Sequence, residues 1–264
     1  MSIPLRRRVL FAALLGLGVA GSALAESVPR DTVLVAGGTG GTGRHVVAQL
    51  LADGRYAVRV MTRNPEAARV TLGEKVELVV GDVREPATLG PALAGARFVV
   101  AAVGSNQRKD PTNSPEVVDY GGIRNLALAA KSAGVQQMVL VSSQSVTNVR
   151  EPLNQWLNNI LIWKYLGEEA LRKSGVSYTV VRPSGLNDKP GGQAVLFAQG
   201  DTAKERGFIP REDVAAVCVA ALGRADALGK TFEITGDPSR PRQELSAEFA
   251  RLAVDPPPPP FPAR

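Results

Sequence analysis

Apolar residues follow two alternating spacings along the chain. Short apolar runs predict β-strands, and longer segments in which apolar residues recur every three or four positions predict helices. The predicted strands are TVLVAG, YAVRVMTRN, VELVVGD, RFVVAAVG, QMVLVSS, SYTVVRP and GKTFEITGD. Strands that alternate with helices form right-handed βαβ units. The pattern therefore predicts an α/β fold of three layers, with a doubly wound, mainly parallel sheet between helices and a short C-terminal extension.

The predicted helices between these strands are TGRHVVAQLLADG, EPATLGPALAGA, EVVDYGGIRNLALAAKSAG and NQWLNNILIWKYLGEEALRKSG. A later helix, PREDVAAVCVAALG, begins with proline and has acidic residues in its first turn, as helices favour. The segment RQELSAEFARLA predicts a closing helix.

The amino-terminal segment has the pattern of an export signal. A basic stretch at residues 6–8 precedes an apolar run, and ALA stands before Glu26. Paired arginines also resemble a twin-arginine signal. The segment predicts an exported, periplasmic protein or, if it is not cleaved, a membrane anchor, because the run approaches the ~20 residues that span a bilayer. The predicted boundaries are 1–25 for the signal peptide, 26–254 for one folded domain and 255–264 for a Pro-rich disordered tail.

Composition excludes several classes of function. The chain has one cysteine, Cys218, and one histidine, His45, so we expect no disulfide framework, no zinc site and no Ser-His-Asp hydrolase. Cys218 lies in an apolar helical pattern and is predicted to be a buried core residue. The net charge of +6 includes the three arginines of residues 6–8. Without them the charge gives little reason to expect nucleic-acid binding.

A glycine-rich stretch follows the first predicted strand and opens the first predicted helix. It consists of Gly37, Gly38, Thr39, Gly40, Gly41, Thr42 and Gly43. The spacing fits both G-x-x-G-x-x-G and G-x-G-x-x-G. Glycine there permits a tight turn, lets a diphosphate approach backbone amides and allows the helix to pack on the sheet, while the helix amino end favours negative charge. The stretch predicts the dinucleotide site of a Rossmann fold, and a flexible turn without a ligand is the alternative.

The ends of the next two strands bear on the choice of cofactor. Arg63 stands where an NAD-selective site usually has an acid that bonds the ribose hydroxyls. A guanidinium can pair with a 2′-phosphate, so NADP(H) is favoured over NAD(H), with a solvated arginine as the alternative. Asp82 and Val83 are predicted to meet the edge and the ring of the adenine, or else Asp82 caps an ordinary turn.

Several spaced segments resemble one protein family. They are GGTGGTGRHVV, GDVRE, DYGGIRNLALAAKSAGVQQMVLVSS, ILIWKYLGEEALRKSGVSYTVVRPSGLND and IPREDVAAVCVAAL. Together they resemble the atypical short-chain dehydrogenase/reductases, in particular the NmrA-like, NAD(P)H-binding group that includes the dehydrogenase-like subunit of the chloroplast import machinery. The resemblance spans residues 31–253 and implies a Rossmann fold with the cofactor across the carboxyl ends of the strands.

The resemblance also implies roles for individual residues. Ser142 and Ser143 are implied to lie beside the nicotinamide ribose, and Pro183 to touch the nicotinamide end. Lys164 occupies the lysine position of the family's Tyr-x-x-x-Lys pair and is implied to bind the ribose hydroxyls, with a surface lysine as the alternative. The tyrosine position holds Ile160, so the usual proton donor is missing. A helix directs the neighbouring Tyr165 about 100° away from Lys164.

Two functions remain open at this stage. One is an NADPH-dependent reductase that passes hydride to a small organic acceptor, with Ser143 and Lys164 orienting substrate and cofactor. The other is a non-catalytic NADP(H)-binding module that senses redox state or acts as a scaffold, which the missing tyrosine favours. A sugar-nucleotide epimerase is less favoured because it also relies on that tyrosine. The expected partners are a dinucleotide and a small-molecule substrate, with no nucleic acid and no membrane other than through an uncleaved amino-terminal segment.

Overall fold

The structure is a computed structural model that describes residues 30–201 and 207–257. The strands are β1 Thr32–Ala36, β2 Ala57–Thr62, β3 Glu77–Val80, β4 Ala96–Ala101, β5 Gln137–Val141, β6 Tyr178–Pro183, β7 Gly185–Asn187, β8 Ala194–Ala198, β9 Phe208–Pro210 and β10 Lys230–Asp237. The helices are α1 Gly41–Asp53, α2 Pro65–Leu72, α3 Leu89–Leu93, α4 Ile123–Ser132, α5 Pro152–Trp156, α6 Ile160–Lys173, α7 Arg211–Ala221 and α8 Ser246–Phe249.

Eight strands form one sheet in the order β3-β2-β1-β4-β5-β6-β10-β8. Every neighbouring pair is parallel except β10 and β8, so β8 is an antiparallel edge. The short strands β7 and β9 pair separately. The chain order reverses between β1 and β4, and in such sheets the crevice at the reversal is where ligands bind. The predicted three-layer Rossmann fold is therefore confirmed.

The sheet is buried on both faces, which explains its unbroken apolar strands. Leu34 and Val35 are adjacent in β1, point to opposite faces and are both fully buried. The Val35 face packs on α1 and α7, and the Leu34 face packs on α3, α4 and α6. Cys218 lies in α7 without exposed area, and burial raises the pKa of its thiol to about 12. The prediction that Cys218 is a core residue is confirmed.

The predicted helix over NQWLNNILIWKYLGEEALRKSG is in fact two helices. Asn158 and Asn159 have φ values of +48° and +57° and separate α5 from α6. Asparagine tolerates this left-handed conformation better than most residues, so the break occurs where two asparagines are adjacent. As a result, Ile160 opens α6 and Lys164 lies in its second turn.

Other elements also depart from the predicted pattern. The segment Glu116–Gly122 forms a π-helical turn that leads into α4, and such turns are frequent at functional sites. The predicted closing helix shrinks to the four residues of α8. The apolar pattern did not predict α2, β7, β8 or β9. Part of the predicted tail, residues 258–264, lies outside the described residues.

Candidate functional site

The glycine-rich loop turns sharply out of β1 and supports the first turn of α1. Gly37 has a φ of +83°, and a Cβ added there would lie 2.5 Å from the carbonyl oxygen of Ala102. A Cβ at Gly43 would lie 2.0 Å from the carbonyl oxygen of Gly37. Both positions therefore require glycine, the first also for its backbone conformation. The loop is therefore closely packed.

The amino end of α1 has the features of an anion-binding site. Gly40 precedes the helix and its amide donates to the carbonyl oxygen of Gly37 at 2.9 Å, but no side chain caps the helix. The first turn contains no acidic residue. Free first-turn amides and the helix dipole together favour a phosphate at this position.

A cleft of about 400 Å³ extends from this loop to the carboxyl ends of β2 and β3. Its size is in the usual range for small-molecule sites. Six predicted residues line it, namely Gly37, Thr39, Gly40, Arg63, Asp82 and Val83. The other residues of the glycine stretch do not line the cleft. A Cβ at Gly38 would lie 2.7 Å from Val60, and Thr42 is buried within α1.

Two arginines and two aspartates meet at the far end of the cleft. Arg84 holds Asp82, with Nε–Oδ2 and Nη2–Oδ2 distances of 2.9 Å and 2.7 Å, and reaches Asp110 Oδ2 at 3.2 Å. Arg63 stands farther away, at 3.9 Å from Asp82 and 3.8 Å from Asp110, and its side chain is 56% exposed. Arg84 was not among the predicted site residues, although it belongs to the segment GDVRE.

The charge state of Asp82 follows from these contacts. Burial raises the pKa of its carboxyl, but the hydrogen bonds and positive charge of Arg84 outweigh burial, so the pKa lies below its ordinary value. Asp82 Oδ1 also accepts the backbone amide of Arg84 at 2.9 Å, as in the alternative of an Asp-capped turn. Val83 packs on Gly122, where an added Cβ would lie 2.6 Å from its Cγ2. The predicted adenine contacts of both residues stay a prediction.

A second polar centre lies beyond the carboxyl ends of β4 and β5. Lys164 Nζ lies 2.8 Å from Asp119 Oδ1, and Asp119 Oδ2 accepts the backbone amide of Ser105 at 3.1 Å. Ser142 lines the same small pocket, and its buried hydroxyl has no hydrogen-bond partner among the described residues. Lys164 is therefore not a freely solvated surface lysine.

Asp119 is a residue that the sequence analysis did not single out. It lies on the π-helical turn and is almost completely buried. The turn packs tightly on α6, because a Cβ at Gly167 would lie 2.2 Å from the carbonyl oxygen of Asp119. The only available signal was an acid in an otherwise apolar segment, EVVDYGG, which does not reveal its partner.

The remaining predicted residues stand apart from this pocket. Ser143 Oγ donates to the carbonyl oxygen of Gln144 at 3.1 Å. Pro183 ends β6, and its carbonyl oxygen accepts the amide of Gln144 at 2.9 Å. Tyr165 lines a different cavity, as expected from its direction on the helix. The roles of Ser143 and Pro183 toward a ligand stay predictions.

Comparisons with known proteins identify similar sequences and structures, several of which are described as NAD(P)-binding proteins or reductases. A family model described as NAD(P)H-binding matches residues 37–225. An uncharacterized chloroplastic protein of Arabidopsis thaliana is 36% identical over 88% of this chain and 78% of its own. Sanguinarine reductase of Eschscholzia californica is 33% identical over 81% of this chain and 92% of its own.

Two further matches extend the comparison, one in sequence and one in structure. Protein TIC 62 of Pisum sativum, which is chloroplastic, is 34% identical over 62% of this chain and 36% of its own length. A solved structure described as an NAD-dependent epimerase/dehydratase of Bacillus halodurans superposes with a TM-score of 0.74 at 25% identity, covering 84% of this chain and 100% of that one.

The prediction that a signal peptide exports the protein to the periplasm is wrong, because several of these relatives are chloroplastic proteins. Basic, acid-poor amino termini occur in more than one kind of targeting segment, so the pattern did not determine the compartment. Residues 1–25, on which the signal and anchor predictions rest, lie outside the described residues. Within residues 30–201 and 207–257, no helix has the length and apolar character needed to cross a bilayer.

Proposed function

The chain belongs to the NAD(P)H-binding family, in the NmrA-like group of atypical short-chain dehydrogenase/reductases, and on that premise we propose that it is an NADPH-dependent reductase of a small organic acceptor. One observation carries the proposal. An arginine-rich centre and a lysine-containing centre lie at the same edge of the sheet, with the glycine-rich loop between them. This arrangement suits the phosphate-bearing adenosine end, the diphosphate and the nicotinamide end of one dinucleotide.

The preference for NADPH rests on the arginine-rich centre. A 2′-phosphate carries negative charge that a guanidinium can neutralise through paired hydrogen bonds. Arg63 suits this role because it is exposed and has only long contacts with Asp82 and Asp110. Arg84 supports it by holding both carboxylates, which would otherwise repel the phosphate. NAD(H) has no 2′-phosphate and gains nothing from this pair.

The lysine-containing centre is the proposed place of reaction. NADPH, when bound, supplies the hydride that adds to an electron-poor carbon of the acceptor. Lys164, oriented by Asp119, binds the ribose hydroxyls, and the unpartnered hydroxyl of Ser142 supplies a hydrogen bond to the bound ligands. Ile160 cannot donate a proton. Any proton that the reduced acceptor needs therefore comes from water or from the substrate itself.

The proposal is tested by mixing the purified protein with NADPH and a panel of aldehydes, quinones, enones and iminium cations. We expect NADPH oxidation with at least one acceptor, and the quinones and iminium cations are favoured because they need no proton from a side chain during hydride addition. Lys164→Ala lowers the rate strongly. Tyr165→Phe is the matched control and leaves the rate unchanged, because Tyr165 lines a separate cavity. No turnover across the panel contradicts the reductase.

A second candidate is a non-catalytic NADP(H)-binding module. Ile160 in the place of the proton-donating tyrosine favours it. This function predicts tight NADP binding without consumption of NADPH across the same panel. It also predicts that Lys164→Ala changes affinity for the dinucleotide and nothing else.

A further inference from the structure

Arg211 places a guanidinium beside the glycine-rich loop, which is the proposed position of the diphosphate. It comes from a distant part of the sequence. It is the first residue of α7, and its side chain lies across the amino end of α1. A Cβ added at Gly41 would lie 2.8 Å from Arg211 Nε and 2.9 Å from its Cδ. Gly41 therefore makes room for the arginine, whereas Gly37 and Gly43 make room for the loop itself.

The charge of Arg211 is balanced by an exposed carboxylate. Arg211 Nη1 lies 3.0 Å from Asp188 Oδ1, and Arg44, in the first turn of α1, reaches the same oxygen at 3.6 Å. Asp188 follows β7, and its side chain is 64% exposed. Two guanidinium groups and one carboxylate thus converge where the free amides of α1 already favour a phosphate.

We propose that Asp188 competes with the diphosphate of the dinucleotide for Arg211. In the ligand-free protein the Asp188–Arg211 pair, here termed the latch, neutralises the guanidinium. When the dinucleotide binds, a phosphate oxygen replaces the carboxylate, since both are anions that accept the same N–H groups. Asp188 then turns away, because two anions at one position repel each other.

The surrounding loop allows this exchange without a large movement. The backbone amides of Gly191 and Gly192 donate to Glu212 and Asp213 in the first turn of α7. The loop that carries Asp188 is therefore fastened to the helix that carries Arg211. Opening the latch requires rotation of the Asp188 side chain alone. The affinity for the dinucleotide is lowered by the free energy needed to separate Asp188 from Arg211.

The latch makes two substitutions act in opposite directions. Arg211→Gln keeps the stem that packs on Gly41 but removes the charge, and we expect it to weaken NADP+, NAD+ and ADP-ribose alike, by about tenfold. Asp188→Asn frees Arg211, and we expect it to tighten all three ligands by about twofold to fivefold, the range of an exposed ion pair. The measurement is isothermal titration calorimetry on the full chain.

The double variant and a control pair complete the test. Asp188→Asn in the Arg211→Gln background is expected to give little further tightening, because the main competition is gone. Arg224→Gln and Asp226→Asn remove another exposed ion pair, at 2.7 Å, and should leave binding unchanged. Unchanged or weaker binding in Asp188→Asn overturns the proposal, and this exposed substitution decides it even if Arg211→Gln does not fold. The inference rests on the dinucleotide site alone, so an absence of NADPH turnover would contradict the reductase and leave the latch standing.

Discussion

The two ends of the proposed cofactor site are built in different ways. The proposed adenosine end is an open cleft of about 400 Å³ whose charged groups are partly exposed. The proposed nicotinamide end borders a cavity of only about 10 Å³ beside a largely buried ion pair. Charges near water are easily exchanged for those of a ligand, whereas a buried pair must stay matched. The open end therefore suits the choice between cofactors, and the closed end suits the fixed orientation of reacting groups.

The largest effect is expected from a change in the glycine-rich loop, which lies between the two ends. Gly43→Ala forces a methyl group against the carbonyl oxygen of Gly37, so the loop must shift. We expect dinucleotide affinity to fall by about 100-fold or more, the value of two lost charge-assisted hydrogen bonds. Gly90→Ala in α3 is the matched control, because nothing lies within 4 Å of its added Cβ. Wild-type affinity in Gly43→Ala, measured by calorimetry, would show that the loop does not hold the diphosphate.

The closed end is probed by removing the partner of Lys164. Asp119→Asn leaves the ammonium group without its counter-charge, and we expect the free energy of unfolding to fall by about 1–3 kcal/mol. Asp31→Asn breaks an exposed pair with Arg97 at 2.7 Å and should cost less than about 1 kcal/mol. Urea denaturation measures both. An equal loss of unfolding free energy in the two variants would mean that the buried Lys164–Asp119 pair stabilises the fold no more than the exposed Asp31–Arg97 pair does.

The open end is probed by its selectivity. Arg63→Ala is expected to weaken NADP+ binding by about tenfold and NAD+ binding by less than about twofold, because only NADP+ carries the phosphate. Arg55→Ala serves as the control, since that arginine pairs with Asp53 in a different groove. The ratio of the two dissociation constants is the quantity to compare. An equal loss for both dinucleotides would contradict the assignment of Arg63.

The smallest effect concerns the acidity of Asp82. Its pKa is below the ordinary value in the folded protein, so its ionised form stabilises the fold at neutral pH. That stability is present above the unfolded pKa of about 3.9 and is lost as the pH falls through the lower folded value. We expect Asp82→Asn to be less stable than wild type by less than about 1 kcal/mol at neutral pH and equally stable in strong acid. A pH-independent difference in urea denaturation would refute this.

The sequence predicted best what is local in the chain. The glycine spacing can be recognised from residues 37–43 alone. The valine-rich strands indicate a sheet that is buried on both faces. The positions of Arg63 and Asp82 followed from the ends of adjacent strands. These features depend on spacing and on burial, which a sequence pattern records directly.

What the sequence could not predict depends on distant pairs. Asp119 and Lys164 meet only because the π-helical turn packs on α6, and Arg211 reaches α1 from a distant part of the sequence. The break at Asn158 and Asn159 interrupts a pattern whose apolar spacing continues unchanged. The antiparallel β8 depends on pairing with β10, which no local periodicity reveals. The compartment was mispredicted from a segment with a generic basic and apolar pattern.

The sealed position of Cys218 has a practical consequence. The chain carries a single thiol, and it is completely buried. A reporter cysteine introduced at Thr71, an exposed residue of α2 on the rim of the cleft, would therefore be the group that a maleimide dye labels in the native protein. Fluorescence from that dye would follow entry of the nucleotide in real time, with the natural sulfur left in place and silent.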